Sequence, residues 1–308
     1  MKPIMILTAA LVASVMARPA MAQDQDPRKD ATEATKSANA ALLKELPFSD
    51  RSDFANAHRG FIAPLPAAVI TGESGNPVWN PQQYGFIAES AAAPDTVNPS
   101  LWRQSQLINI SGLFEVANGI YQVRNLDLSN MTIIEGKEGI TVVDPLVSAE
   151  TAKAGIDLYF AHRGPKPVKA VIYTHSHVDH YGGVRGVVSE ADVAAGKVRI
   201  YAPEGFLEAA VAENVMAGTA MSRRASYMYG NLLPPDPKGQ VGAGLGTTTS
   251  AGTVTLISTV PAVGVSAVRR SRAGSTSSVR RASPTGVEHD SDRADPLAQS
   301  LEKRFIDQ

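Results

Sequence analysis

From residue 119 onward the apolar positions fall into short runs of strand length. The stretches "GIYQVR", "NMTIIEG" and "GITVVDP" are β-branched and bounded by turn residues, and "EGKEG" between the last two predicts a tight hairpin. The spacing in "SAETAKAGIDLYFAHRG" predicts a helix, with Ser148 as its cap, Glu150 in the first turn and Gly164 just past the end. "VKAVIYT" is almost wholly apolar, as in a strand buried on both faces, and it delivers the chain to His175. "KVRIYAPEG" repeats the strand signal, and "EGFLEAAVAENVMAG" and "AMSRRASYMYG" read as helices. Beyond the glycine-rich "GQVGAGLGTTTSAG", Thr253 to Ile257 is the last candidate strand.

The flanks carry weaker patterns. Residues 23–56 are polar with scattered alanines and only a faint apolar stripe, which predicts a helical arm. Residues 60–105 are rich in Pro and Gly and predict a wrapped, extended arm without long regular elements. Past Ile257 the composition shifts to Ser, Arg, Thr, Pro and Gly, with too few large apolar residues to offset the entropy of ordering. The expected organisation is therefore residues 1–22 as a signal peptide, 23–105 as the arm, 106–257 as an α/β domain, and 258–308 as a disordered, low-complexity tail.

Composition narrows the function. The chain has 308 residues, 44% of them apolar, which suffices for one substantial core. A net charge of −1 gives no global attraction to nucleic acid or an anionic membrane. The start of the chain has the layout of an export signal: Lys2, the apolar "IMILTAALVASVM", then Ala20-Met21-Ala22. Cleavage after Ala22 and a periplasmic or secreted location are expected. No other segment approaches the length of a membrane span. Cysteine is absent, which excludes disulfides and thiolate ligands, so any metal site must use nitrogen and oxygen.

Against that background "THSHVDH" stands out, because it holds three of the six histidines and an aspartate within six positions. Alternate residues of extended chain share a face, so His175 and His177 suit one cation. Asp179 and His180 follow where the chain turns, and suit a second. Imidazole and carboxylate donors make zinc the first choice, with manganese and iron compatible.

The motif resembles the HxHxDH signature of the metallo-β-lactamase superfamily. Further stretches, among them "NPSLWRQSQL", "DLSNMTIIEG", "VVDPL", "KAVIYTHSHVDHYGGVRGVV", "APEGFLEAAVAENV" and "RRASYMYGNLLP", resemble its alkyl sulfatase branch from about Asp53 to Ile257. The resemblance implies a partial metallo-β-lactamase fold, an αββα sandwich of which the first sheet and its helices are present. It implies a zinc-dependent hydrolase that cleaves linear alkyl sulfates such as dodecyl sulfate to alcohol and sulfate, with hydroxide made available at neutral pH by two cations. His175 and His177 match ligands of the first zinc, and Asp179 and His180 ligands of the second. Asp179 also matches a catalytic role, orienting the attacking water. Asp144, in the "VDP" turn, either orients a ligand imidazole from the second shell or simply closes the turn before Pro145.

The resemblance ends near Ile257. The family's later carboxylate and histidine ligands, its C-terminal domain and the region through which its members form homodimers are not recognisable here. The break resembles a truncated or frame-shifted chain. Glu288, His289 and Asp290 lie in the low-complexity tail and are not taken as substitute ligands. Two alternatives stay open: a non-catalytic remnant that binds metal weakly, and an exported module that binds a partner through an uncovered apolar sheet face and the basic tail. Arg223, Arg224, Tyr227, Tyr229 and Asn231 are weaker candidates for contacts to a sulfate, since guanidinium and hydroxyl groups suit oxyanions.

Overall fold

A computed structural model describes residues 28–257. The expected signal peptide and the tail from residue 258 onward lie outside the described residues.

The arm begins with helix α1 (Glu33–Glu45), whose first turn is closed by Thr32 accepting from the Thr35 backbone N–H at 3.2 Å. It buries no residue, as its faint stripe leads one to expect. Helix α2 (Ser52–His58) buries Phe54. The short strands β1 (Phe61–Ala63), β2 (Ile70–Thr71) and β3 (Pro77–Trp79) follow.

The Pro-rich stretch departs from expectation at its end, where "PSLWRQSQLI" forms helix α3 (Pro99–Ile108). Asn98 caps it and Pro99 sits in its first turn, where a missing N–H costs nothing, so this proline starts a helix rather than preventing one. Trp102 and Gln106 are buried on it, and the Gln106 amide donates to the carbonyls of Ala88, Glu89 and Ala91.

The α/β class is as expected. Strands β4 (Gly112–Ala117), β5 (Ile120–Arg124), β6 (Met131–Glu135) and β7 (Ile140–Val143) pair antiparallel in succession, with β1 on the outer edge of β4. Helix α4 (Ala149–Arg163) then crosses over to β8 (Val168–Ile172), which pairs parallel to β7. A second crossover, containing helix α5 (Glu190–Ala194), leads to β9 (Arg199–Tyr201), parallel to β8. Parallel neighbours need such crossovers, and each one leaves a loop at the strand's C-terminal end. Helices α6 (Phe206–Val211) and α7 (Gly218–Tyr229), joined by a π-helical turn, Ala212–Met216, are the last helices among the described residues.

Register explains the core. Tyr121, Ile133, Val142, Val171 and Ile200 lie side by side across five strands, and all are buried. On this face α4 lays Ile156 and Tyr159, and the β2–β3 hairpin adds Val78 and Trp79. Burying each large aliphatic side chain contributes about 1.5–3 kcal/mol. The opposite row, Gln122, Thr132, Val143, Ile172 and Tyr201, is partly exposed and mixed in character, with Gln122 and Thr132 hydrogen-bonded at 3.2 Å. The uncovered apolar sheet face is thus not where the largest exposures gather; these fall on residues 207–233.

The candidate strand Thr253–Ile257 is not a strand. Thr253 accepts from the Ala149 N–H at 2.9 Å and Thr255 donates to the Gly182 carbonyl at 2.8 Å, so the segment lies against the first turn of α4 and a loop rather than a sheet edge. Asp127, fully buried, fastens it further by accepting from the Ser250 backbone N–H at 2.9 Å and from the Ser250 hydroxyl. Burial pushes the Asp127 carboxyl up, against the hydrogen bonds from Ser250, Leu128 and Thr151.

Candidate metal centre

Strand β8, buried only at Ala170 and Val171 rather than along its whole length as the sequence suggested, ends at Ile172, and the next eight residues carry every sequence-predicted ligand. The loop is held close to the turn after β7. A side chain at Gly183 would meet the Pro145 carbonyl at 2.2 Å, and one at Gly182 the Val147 carbonyl at 2.3 Å, so only glycine permits this approach. A single 3-10 turn, Val178–His180, reverses the chain.

Asp144 takes the left-handed conformation at φ +55°, tolerated by Asp more readily than by most residues. Its carboxylate accepts from the Thr174 backbone N–H at 2.9 Å, the Thr174 hydroxyl at 2.7 Å and His180 Nδ1 at 2.8 Å. The Thr174 hydroxyl has one proton, which goes to Asp144, so toward His175 Nδ1 at 3.0 Å it acts as acceptor. The turn before Pro145 and the orientation of two imidazoles therefore depend on one carboxylate.

The three rings cluster. His175 lies 4.6 Å from His177 and 4.0 Å from His180 between ring centroids. Asp179 is buried beside them, and its backbone carbonyl accepts from the Ser129 hydroxyl. His177 Nε2 lies 2.8 Å from Glu213 Oε1, and Glu213 Oε2 accepts from Ser176 Oγ at 3.0 Å. Glu213 is a residue that sequence reasoning missed. "AENV" looks like ordinary helix, and nothing local marks which of its faces meets the loop.

Charge in the cluster follows from these contacts. Burial opposes a proton on His180, but hydrogen bonds to Asp144 and Asp179 prevail and raise its pKa to about 9. Burial, then the neighbouring His180 and His177, push His175 down. Burial also opposes ionisation of Asp179, yet its hydrogen bond to His180 and the nearby imidazoles hold its carboxyl low. In this arrangement a proton on His180 lies between two carboxylates.

Over 229 residues the chain is 80% identical to a linear primary-alkylsulfatase of Pseudomonas sp., a match that covers 74% of this chain and 34% of that protein. Residues 124–267 match the model of the metallo-beta-lactamase superfamily. Over its described part the chain is therefore similar to alkylsulfatases and, from residue 124, to that superfamily. It is also 52% identical over 244 residues to an (R)-specific secondary-alkylsulfatase of Pseudomonas sp., covering 79% of this chain and 36% of the relative. The solved structure of the stereoselective inverting sec-alkylsulfatase Pisa1 from Pseudomonas sp. superposes with a TM-score of 0.71 at 52% identity, covering 75% of this chain and 36% of that one. The described fold is thus part of a metallo-β-lactamase fold, and the chain spans about a third of the length of the relatives it matches. Among the described residues no helix is long and apolar enough to cross a membrane.

Whether the loop fits the divalent cation that this superfamily implies is a question of donors. Three imidazoles, His175 and His177 each engaged at one ring nitrogen by a neighbouring oxygen and His180 at both, stand beside a buried carboxylate, and this set fits in kind and in place. Among the described residues no three His, Asp or Glu side chains are already arranged to hold a metal. One reason is visible: His180 Nε2 and Asp179 Oδ2 face each other at 3.2 Å. Arg223, Arg224 and Tyr227 are exposed on α7, and among the described residues no hydrogen bond or ion pair links them to this loop.

Proposed function

We propose that this chain carries the zinc-binding loop of an alkylsulfatase that hydrolyses linear alkyl sulfates, such as dodecyl sulfate, to alcohol and sulfate. The observation that carries the reading is the ring cluster at the end of β8, with a carboxylate or hydroxyl oxygen holding a nitrogen of every imidazole. The 80% identity to a linear primary-alkylsulfatase, against 52% to a secondary-alkylsulfatase, supports the linear substrate.

In this reading His175 and His177 hold one zinc, and Asp179 and His180 a second. Zinc, when bound, offsets the charge of the sulfate ester and lowers the pKa of water. The chain's own groups do the rest. Asp144 fixes the ring of His180 directly and that of His175 through Thr174, and Asp179 orients the attacking water by accepting a hydrogen bond from it. Lys2, the apolar stretch after it and Ala20-Met21-Ala22 support export to the periplasm or beyond.

The test is to purify the mature chain, measure zinc per chain, and follow sulfate release from dodecyl sulfate with and without added zinc. Stoichiometric zinc and zinc-dependent release support the enzyme. A second reading, a non-catalytic chain that binds metal weakly, is favoured by the absence of a ready three-donor group among the described residues. Sub-stoichiometric zinc without release would select it.

A further inference from the structure

The geometry points to Glu213 as a positioning residue for the candidate metal centre, one that holds the His177 ring with its proton on Nε2 and leaves Nδ1 bare as the donor. The inference rests on the metal-centre reading above and extends it to a different element of the fold.

Glu213 lies in the π-helical turn Ala212–Met216, between α6 and α7. A π turn inserts one residue into a helix and re-aims the side chains around it, and such turns recur at functional sites. Here two consecutive side chains reach the histidine loop. Glu213 Oε1 meets His177 Nε2 at 2.8 Å and its Oε2 accepts from Ser176 Oγ at 3.0 Å, while the Asn214 amide donates to the Ser176 carbonyl at 3.1 Å. A fourth contact, from the Asn214 amide to the Ala210 carbonyl at 2.9 Å, anchors that side chain to its own helix.

The chemistry follows from the atoms. An ionised carboxylate only accepts, so the ring nitrogen facing it carries the proton, and in a neutral imidazole the other nitrogen is then a bare lone pair. Outer carboxylates of this kind fix the tautomer and direction of ligand histidines and make them more basic donors. His177 most needs such a partner, because its side chain is 54% exposed, whereas that of His180 is 21% exposed. His175 and His180 already depend on Asp144, directly or through Thr174. Glu213 completes the set, so that none of the three rings is without an oxygen partner.

Two measurements on the full mature chain test this. Long-range proton–nitrogen NMR of the metal-free chain at pH 8 reads each histidine tautomer. Competition against a chromogenic chelator reads the zinc affinity of the unaltered chain, of Glu213→Gln and of Asn214→Ala. We expect the Nε2–H tautomer for His177, a mixed tautomer in Glu213→Gln, and zinc binding weakened about 10–100-fold there. Asn214→Ala is expected to loosen the helix while leaving the tautomer intact.

A His177 ring protonated on Nδ1 in the unaltered chain would overturn the assignment without need of any variant. So would zinc affinity unchanged by Glu213→Gln, or an equal loss in Asn214→Ala, which would reduce Glu213 to a docking contact. A chain that takes up no zinc at all would instead bring down the metal-centre reading, and this inference with it.

Discussion

The sheet and the helical segment after it both carry large apolar side chains, and they leave them in opposite environments. Tyr121, Ile133, Val142, Val171 and Ile200 are no more than 6% exposed, whereas Val215, Met216, Tyr227 and Leu232 are 74%, 82%, 92% and 83% exposed. Tyr121, Ile133 and Val142 pack beneath α4, and Val171 and Ile200 pack with Val193 of α5 and Phe206 of α6. Helix α7 buries no residue, and its neighbour α6 is anchored through Phe206 and Ala210 alone. A gathered apolar surface of this kind marks a place suited to burial against something else. Even so, both regions contribute to the candidate site: the strand end presents the histidines, and the weakly anchored segment supplies Glu213.

If that contrast is right, the two regions should respond very differently to substitution. The largest effect is expected from Ile133→Ala, which opens a cavity in the sealed row and should cost about 2–5 kcal/mol in urea unfolding. A loss below about 1 kcal/mol would mean that the core is not as closed as its burial implies. Next, His180→Ala should weaken zinc uptake by tenfold or more, measured by chelator competition, because it removes both a donor and the partner of Asp144 and Asp179.

A smaller effect concerns acid. Burial opposes the charge on Glu135, but hydrogen bonds from Lys166, Tyr159 and Arg163 prevail and bring its carboxyl down to about 2. A folded pKa below the unfolded value near 4.5 stabilises the fold fully above that value, and the stabilisation is lost as pH falls through about 2. Glu135→Gln should therefore remove on the order of 1–2 kcal/mol at neutral pH, after discounting for solvent, and flatten the acid limb of the stability curve. An unchanged acid limb would show that these contacts do not act together. The smallest effect is expected on the helical segment. Val215→Ser should change stability by no more than about 0.5 kcal/mol while reducing self-association in light scattering.

How far the sequence reached differs from element to element. The strands β5 to β9 and helix α4 were legible because their signals are local: β-branched runs, a capping Ser148, a terminal Gly164. Strand β4 and helix α3 were not predicted from the pattern. "GLFEVA" is short and interrupted by a charge, and the prolines around "NPSLW" masked a helix start. Thr253 to Ile257 has strand composition but meets the start of α4 and the loop at Gly182 instead of a strand, a distinction that depends on its neighbours and not on itself.

By itself the sequence determined which residues form the candidate ligand set and that a strand delivers them, because His175, His177, Asp179 and His180 are consecutive enough for spacing alone to group them. Only the tertiary structure decided how those rings are held. Asp144 lies 36 residues from His180 along the chain, and Ser176 lies 37 from Glu213. Contacts over such separations exist because the β7 turn and the π turn are packed onto the same loop. Hydrogen bonds of this sort are fixed by where backbones converge, and no local periodicity encodes that.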